Sequence, residues 1–194
     1  MSTGVIVLRT GLILGMVFHK LVWEALKRQA DAPKAARQPA TSALKAAVKS
    51  FKSLVLVFLI VQTLFLDLFP IFEQPFGIRI AGLVIYCVGL TVAVVGRLQL
   101  GKNWANLEDF QVIPDQQLVE RGIYAYIRHP IYTGDVLLIL GLELALNSWL
   151  VLIVLPLVAI VVRQTLAEEA ILSRAFPTYQ AYRQRTKMYI PFII

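Results

Sequence analysis

A single cysteine, Cys87, in 194 residues excludes an intramolecular disulfide and leaves no partner for a cysteine-based metal site. Its setting inside an apolar stretch reads as a small buried hydrophobe. Charge is scarce too: charged residues make up 16% of the chain against 58% hydrophobic residues, too few to cover a soluble domain. Mean hydropathy is +0.69. The apolar runs are continuous and lack period-two alternation, which excludes a transmembrane barrel. No basic region precedes the first run, which carries Arg9 within it, so it reads as a retained span rather than a cleaved signal. Basic residues are missing from the loop around Pro70 to Pro75 and from the turn at Asn147-Ser148.

What remains is an apolar chain long enough for about five spans of roughly 20 residues. They fall at about 4–23, 53–70, 77–100, 131–146 and 149–166. The expected fold is all-α: one integral membrane bundle of five transmembrane helices over residues 1–194, with a short cytoplasmic C-terminal helix. Gly141 and Asn147-Ser148 suggest a tight hairpin between the last two spans. Lys27, Arg28, Lys34, Arg37, Lys45, Lys49 and Lys52 fill the first connection. Lys102, Arg121 and Arg128 lie in the connection before Pro130, and Arg163, Arg174, Arg183, Arg185 and Lys187 lie toward the C-terminus. Because cytoplasmic loops keep Lys and Arg in excess, the N-terminus is expected outside and the C-terminus in the cytoplasm, with the protein multi-pass in the cell membrane. The net charge of +7 follows from this distribution. Basic residues beside spans do not make a nucleic-acid-reading face. The stretch from Lys27 to Lys49 fits a helix or loop lying on anionic headgroups.

Within the spans, Gly82, Gly89 and Gly96 recur every seven residues with Ala93 beside them, a smooth stripe suited to close helix approach, and Gly11 and Gly15 form a similar pair. Ionisable residues at membrane depth cost roughly 2.5–3.5 kcal/mol each and need partners. Asp67, Arg79 and Arg97 lie near span ends and are expected at the interface. His19, beside Lys20, reads the same way. Asp135 and Glu143 are eight residues apart, on one helical face that is expected to point into the bundle.

The densest polar signal runs from Leu118 to Gly134 and includes Tyr124, Arg128, His129, Pro130 and Tyr132. Pro130 suits the first turn of a helix, with His129 at its entrance. The free N–H groups of that turn form a ready anion site. Gly122 would let the chain turn sharply, and Gly134 would give a ligand room. Glu168-Glu169 closes the fifth span on the same side, and the hairpin makes the two ends neighbours. An internal arginine is one natural partner for the pair, with Arg163 and Arg174 each five residues away. Phe176-Pro177 ends the helix, and Tyr179, Tyr182 and Arg183 continue on a tail helix able to fold over the site. Aromatic and basic residues also gather at membrane boundaries as anchors, so residue chemistry alone leaves a ligand site and an anchor both open.

These residues resemble the isoprenylcysteine carboxyl methyltransferases, in particular a small prokaryotic form with five spans. The resemblance rests on Leu118-Val119, Gly122-Ile123-Tyr124, Arg128-His129-Pro130-Ile131-Tyr132 with Gly134, Glu168-Glu169, Phe176, Tyr179, Tyr182 and Pro191-Phe192-Ile193, over roughly the C-terminal half. It implies an enzyme that uses S-adenosylmethionine, yields S-adenosylhomocysteine and needs no metal. The implied cofactor contacts are Gln116, Gln117, Leu118, Val119, Tyr124, His129, Pro130, Ile131, Tyr132 and Glu168, in a site built from residues 101–134 and 163–194. Arg163 is implied as the holder of an acceptor carboxylate, with Glu168 beside it in catalysis. The implied partner is a lipophilic, prenyl-cysteine-like substrate arriving from the membrane lipids. Three rival readings are a phospholipid-amine N-methyltransferase, an NADPH-dependent reductase of the sterol type, and a non-enzymatic lipid-binding protein.

Overall fold

The computed structural model describes residues 2–30, 43–65, 68–103 and 116–193. Lys34, Arg37 and Asp67 lie outside the described residues, as do the side chains of Arg28, Lys45, Lys49, Lys52 and Lys102. The chain forms six α-helices among the described residues: α1 (Thr3–Ala30), α2 (Ala43–Phe65), α3 (Phe76–Leu100), α4 (Pro130–Ala145), α5 (Val154–Ala175) and α6 (Tyr179–Arg185). Short 3-10 turns follow α3 and precede α4 and α5, and no β-strand is present among the described residues.

Three stretches, Thr3–Lys27, Phe76–Leu100 and Trp149–Ala175, are long and apolar enough to cross a membrane, which makes this a multi-pass membrane protein. The helix α2 contributes a shorter apolar stretch, Ser53–Phe65, and the chain is out of helix at residue 68, short of the expected residue 70. At 16 residues, α4 is about 24 Å long, less than the ~30 Å hydrocarbon core. It is packed on several sides, with Gly134, Leu138, Gly141, Leu142, Glu143 and Ala145 buried.

The glycines explain that packing. The helices α3 and α4 run antiparallel with their backbones in contact: a methyl on Gly89 would lie 2.5 Å from the Leu138 nitrogen, and one on Gly141 would lie 2.6 Å from the Tyr86 Cα. At the far end Gly96 receives the ring of Pro130. Gly134 belongs to the same seam, because a methyl there would strike the Ala93 backbone. The room it leaves is filled by α3, not by a ligand as its place in the motif suggested. Gly15 makes way for the Tyr86 ring, whose hydroxyl donates to the Leu12 carbonyl at 2.8 Å, while Gly11 faces open space and takes no part. Leu12, Met16, Tyr86, Leu138 and Leu142 complete the core where α1, α3 and α4 meet.

Two single-residue expectations change. Cys87 is exposed, because it sits on the side of α3 turned away from the glycine stripe. Arg97, expected to reach the interface from its span end, is instead fully buried against protein: its position beside Gly96 carries it into the packed end of α3, where it donates to the Gly101 carbonyl at 3.0 Å. Gly101 closes α3 in the left-handed region, φ 52°, with its N–H on the Arg97 carbonyl. Glu143 points into the bundle as its spacing implied and accepts from Gln62 of α2 at 2.9 Å.

The hairpin between α4 and α5 is clamped as well as tight. Asn147 adopts φ 58°, donates to the Phe72 carbonyl at 2.8 Å and accepts from the Phe72 N–H at 3.1 Å. Asn147→Ala removes both bonds and strains the left-handed backbone, so it should cost about 2–4 kcal/mol. Asn147→Gly, which relieves the backbone but not the lost bonds, should fall between it and wild type in thermal unfolding of detergent-solubilised protein. Equal melting of all three would remove the clamp from the fold's supports.

Candidate functional site

The start of α4 and the last turns of α5 come together at one end of the bundle. The Arg128 Nε donates to the Glu169 Oε1 at 2.7 Å, and the His129 Nε2 lies 3.2 Å from the same oxygen. A carboxylate paired with arginine can only accept, so the proton on that imidazole nitrogen faces Glu169. One residue earlier in α5, the Glu168 Oε2 accepts from the Tyr132 hydroxyl at 3.1 Å and lies 3.8 Å from the His129 Nδ1. The two glutamates have separate surroundings: the Glu169 side chain is 4% exposed, that of Glu168 38%. Glu169 is internal structure, and Glu168 is displayed on a cavity.

Three segments finish the cavity. Gln116 to Val119 run along one wall, held where Gln117 N–H donates to the Asn103 Oδ1 at 2.8 Å and the Gln116 amide donates to the Asn103 carbonyl at 3.1 Å. Next comes the turn at Gly122, φ 65°, the sharp bend its residue type allows, with the Ile123 N–H on the Gln99 Oε1 at 2.8 Å. That turn sets Tyr124 in the wall, its hydroxyl 3.3 Å from the Gly96 carbonyl. The C-terminal tail closes over the third side. Tyr182 donates to the Tyr124 carbonyl at 2.8 Å, and Arg128 and His129 N–H groups pair with the carbonyls of Lys187 and Met188 at 2.9 and 3.1 Å. The exposed pair Arg185 and Glu120 joins α6 to the loop beneath it.

Burial pushes the phenols of Tyr124, Tyr179 and Tyr182 well above their ordinary value, with Glu169 adding to the rise at Tyr179. All three stay neutral donors. The Tyr179 hydroxyl is buried and has no partner among the described residues, and the residue lines the cavity, so a bound ligand could accept from it.

Of the residues singled out in the sequence, Gln116, Gln117, Leu118, Val119, Tyr124, His129, Ile131, Tyr132 and Glu168 line this cavity. Pro130 does not; it lies buried against Gly96. Arg163 is exposed and outside the lining. Five residues before Glu168, it stands about 140° around the helix from it. Arg174 is exposed as well, and the internal arginine is Arg128, which meets Glu169. Phe176, Tyr179 and Tyr182 of the same pattern line the cavity as well, and so does Leu172, which a step of four from Glu168 along α5 could have found. Trp23 and Asp135 line it too. Trp23 comes from α1, and nothing local in the sequence links it to this site.

The lining combines apolar Leu118, Val119 and Ile131, able to pack a flat ring, with the Glu168 carboxylate, able to hold a cationic group, and the open hydroxyl of Tyr179. The cavity holds about 160 Å³ and adjoins a second hollow beside Gln99, Glu120 and Arg121.

Over 110 residues the chain is 30% identical to a protein-S-isoprenylcysteine O-methyltransferase of Schizosaccharomyces pombe, covering 55% of this chain and 47% of that protein. It is 33% identical over 106 residues to the cobalt-zinc-cadmium resistance protein CzcN of Cupriavidus metallidurans, covering 54% and 46% of the two. The chain thus spans about half the length of these curated relatives. The solved structure of the eukaryotic intramembrane Ras methyltransferase ICMT superposes with a TM-score of 0.65 at 21% identity, over 100% of this chain and 69% of that one, so the fold is shared. The family profile of the phospholipid methyltransferases matches residues 77–179, more than half of the chain and the part that holds most of the cavity. This chain belongs to the phospholipid methyltransferase family.

Proposed function

We propose that this protein transfers a methyl group from S-adenosylmethionine to a lipophilic acceptor at the cytoplasmic face of the membrane, with a prenyl-cysteine carboxylate as the first candidate acceptor. The observation that carries this reading is the Glu168 carboxylate, fixed by Tyr132 and displayed on a cavity walled by Gln116 to Val119. When bound, S-adenosylmethionine supplies an electrophilic methyl on a sulfonium. Glu168 would hold a cationic part of it, and Leu118, Val119 and Ile131 would pack its ring. Tyr132 would fix Glu168 in place, and Tyr179 and Tyr182 would keep water out. In-line transfer needs the acceptor atom about 3–3.5 Å from the methyl carbon, and a carboxylate acceptor needs little acid–base help. Charged donor from the aqueous side and apolar acceptor from the bilayer would then meet at headgroup depth.

The polar lining also favours a second acceptor class. Arg128 lines the cavity, but its guanidinium is engaged by Glu169 and by the carbonyls of Thr186 and Arg183, at 2.6 and 3.3 Å. Arg163 could serve a carboxylate only along the exposed face of α5. Asp135 and Glu168 add two carboxylates to the lining, a surface suited to a lipid amine, whose proton Glu168 could receive.

Glu168→Gln should weaken S-adenosylhomocysteine binding by roughly tenfold to a hundredfold, the scale of a lost charge-assisted contact. Calorimetry on detergent-purified protein measures this. Radiolabelled methyl transfer to N-acetyl-S-farnesylcysteine and to phosphatidylethanolamine vesicles separates the two acceptor classes. Unchanged binding and activity in the Gln variant would refute the site.

A further inference from the structure

We infer that Trp23 of α1, set in place by His19 and Asp135, is the acceptor-selecting wall of the cavity; this rests on the methyl-transfer reading above. Trp23 lines the same cavity as Glu168 and Tyr132, although α1 lies outside residues 77–179, the stretch shared with the family. The candidate donor contacts from Gln116 to Glu168 all fall inside that stretch. A part of the cavity built from outside it is suited to the half of the reaction that distinguishes one acceptor from another.

The geometry is built rather than incidental. His19 and Trp23, one helical turn apart, stack with ring centroids 4.0 Å apart and planes 24° apart. On its other side the His19 Nε2 lies 3.2 Å from the Asp135 Oδ1 of α4. The chain of contact thus crosses the seam between α1 and α4 and ends on a residue that itself lines the cavity. Asp135 is three residues beyond Tyr132, so one turn of α4 carries both the hold on Glu168 and the hold on the wall. Val17, Phe18 and Leu21, apolar side chains suited to the bilayer, are exposed on the side of α1 turned away from Trp23, so Trp23 belongs to the inner side of the helix. An acceptor whose apolar chain reaches into the cavity would lay that chain against the indole, a large rigid apolar surface, and place its polar head near Tyr132. Trp23 is then a contact residue, and His19 and Asp135 are positioning residues that act through it.

Kinetics and calorimetry on the full chain in nanodiscs test this, using N-acetyl-S-farnesylcysteine as acceptor and S-adenosylhomocysteine as the probe of the donor half. Trp23→Ala should raise the acceptor KM roughly tenfold while the S-adenosylhomocysteine Kd stays within about twofold. Trp23→Phe should recover most of the loss, and His19→Ala should give a smaller rise of the same kind. Where wild type methylates phosphatidylethanolamine instead, the same comparison is made on that acceptor. An acceptor KM unmoved by Trp23→Ala, or a Kd that rises by the same factor as KM, overturns the assignment. Wild-type protein that binds no S-adenosylhomocysteine overturns the methyl-transfer reading first, and this inference with it.

Discussion

Arg128→Ala is expected to destabilise the protein by about 3–5 kcal/mol, a large share of the ~5–15 kcal/mol that separates folded from unfolded states. The side chains of Arg128 and Glu169 are 6% and 4% exposed, so removing the cation leaves a buried carboxylate to His129 at 3.2 Å and the half-exposed Arg183 at 3.5 Å. The guanidinium also bonds the carbonyls of Thr186 and Arg183, which tie the tail to the start of α4. Loss of these contacts should release the tail before the bundle melts. Limited trypsin digestion should therefore cut at Lys187 faster in the variant, and the thermal midpoint should fall. Arg128→Lys keeps the charge but cannot reproduce a fork aimed at a carboxylate and two carbonyls, so it should recover only part of the loss. Wild-type digestion and melting in Arg128→Ala would show that the tail is held by other means.

Gly141→Val should be as damaging through packing alone. A Cβ there meets the Tyr86 Cα at 2.6 Å and the Gly82 carbonyl oxygen at 2.7 Å, both backbone atoms that cannot swing aside. Overpacking commonly costs about 1–3 kcal/mol where side chains can adjust, and a backbone-to-backbone seam should lie at or above the upper end. The far end of the same seam seats Pro130 against Gly96, so parting the helices also moves His129 and Tyr132 relative to Glu168. Both thermal stability and S-adenosylhomocysteine affinity should fall. Gly11→Ala is the matched control: no atom lies within 4 Å of the added methyl, and the helix gains slightly in propensity. Similar melting of the two variants would mean that the α3–α4 contact is softer than its geometry implies.

The sequence by itself determined the class of molecule and marked most of the residues that gather around one cavity, because both are written in local signals. Long apolar runs specify helices in lipid, seven-residue glycine spacing specifies a close helix contact, and Pro130 after His129 specifies a helix start. The hairpin at Asn147 then requires the ends carrying His129 and Glu168 to meet. Only the tertiary structure decided how the charges are shared out. Glu168 and Glu169 are adjacent in the chain, yet the turn of an α-helix sends one toward the cavity and the other toward Arg128, a partner 41 residues away that no sequence spacing selects. The same holds for Arg97, drawn inside beside Gly96, for Cys87, left on the outer face, and for Trp23, which reaches the cavity from the other end of the chain. Periodicity fixes which residues share a face of one helix; which neighbour that face meets is set by packing between helices distant in sequence.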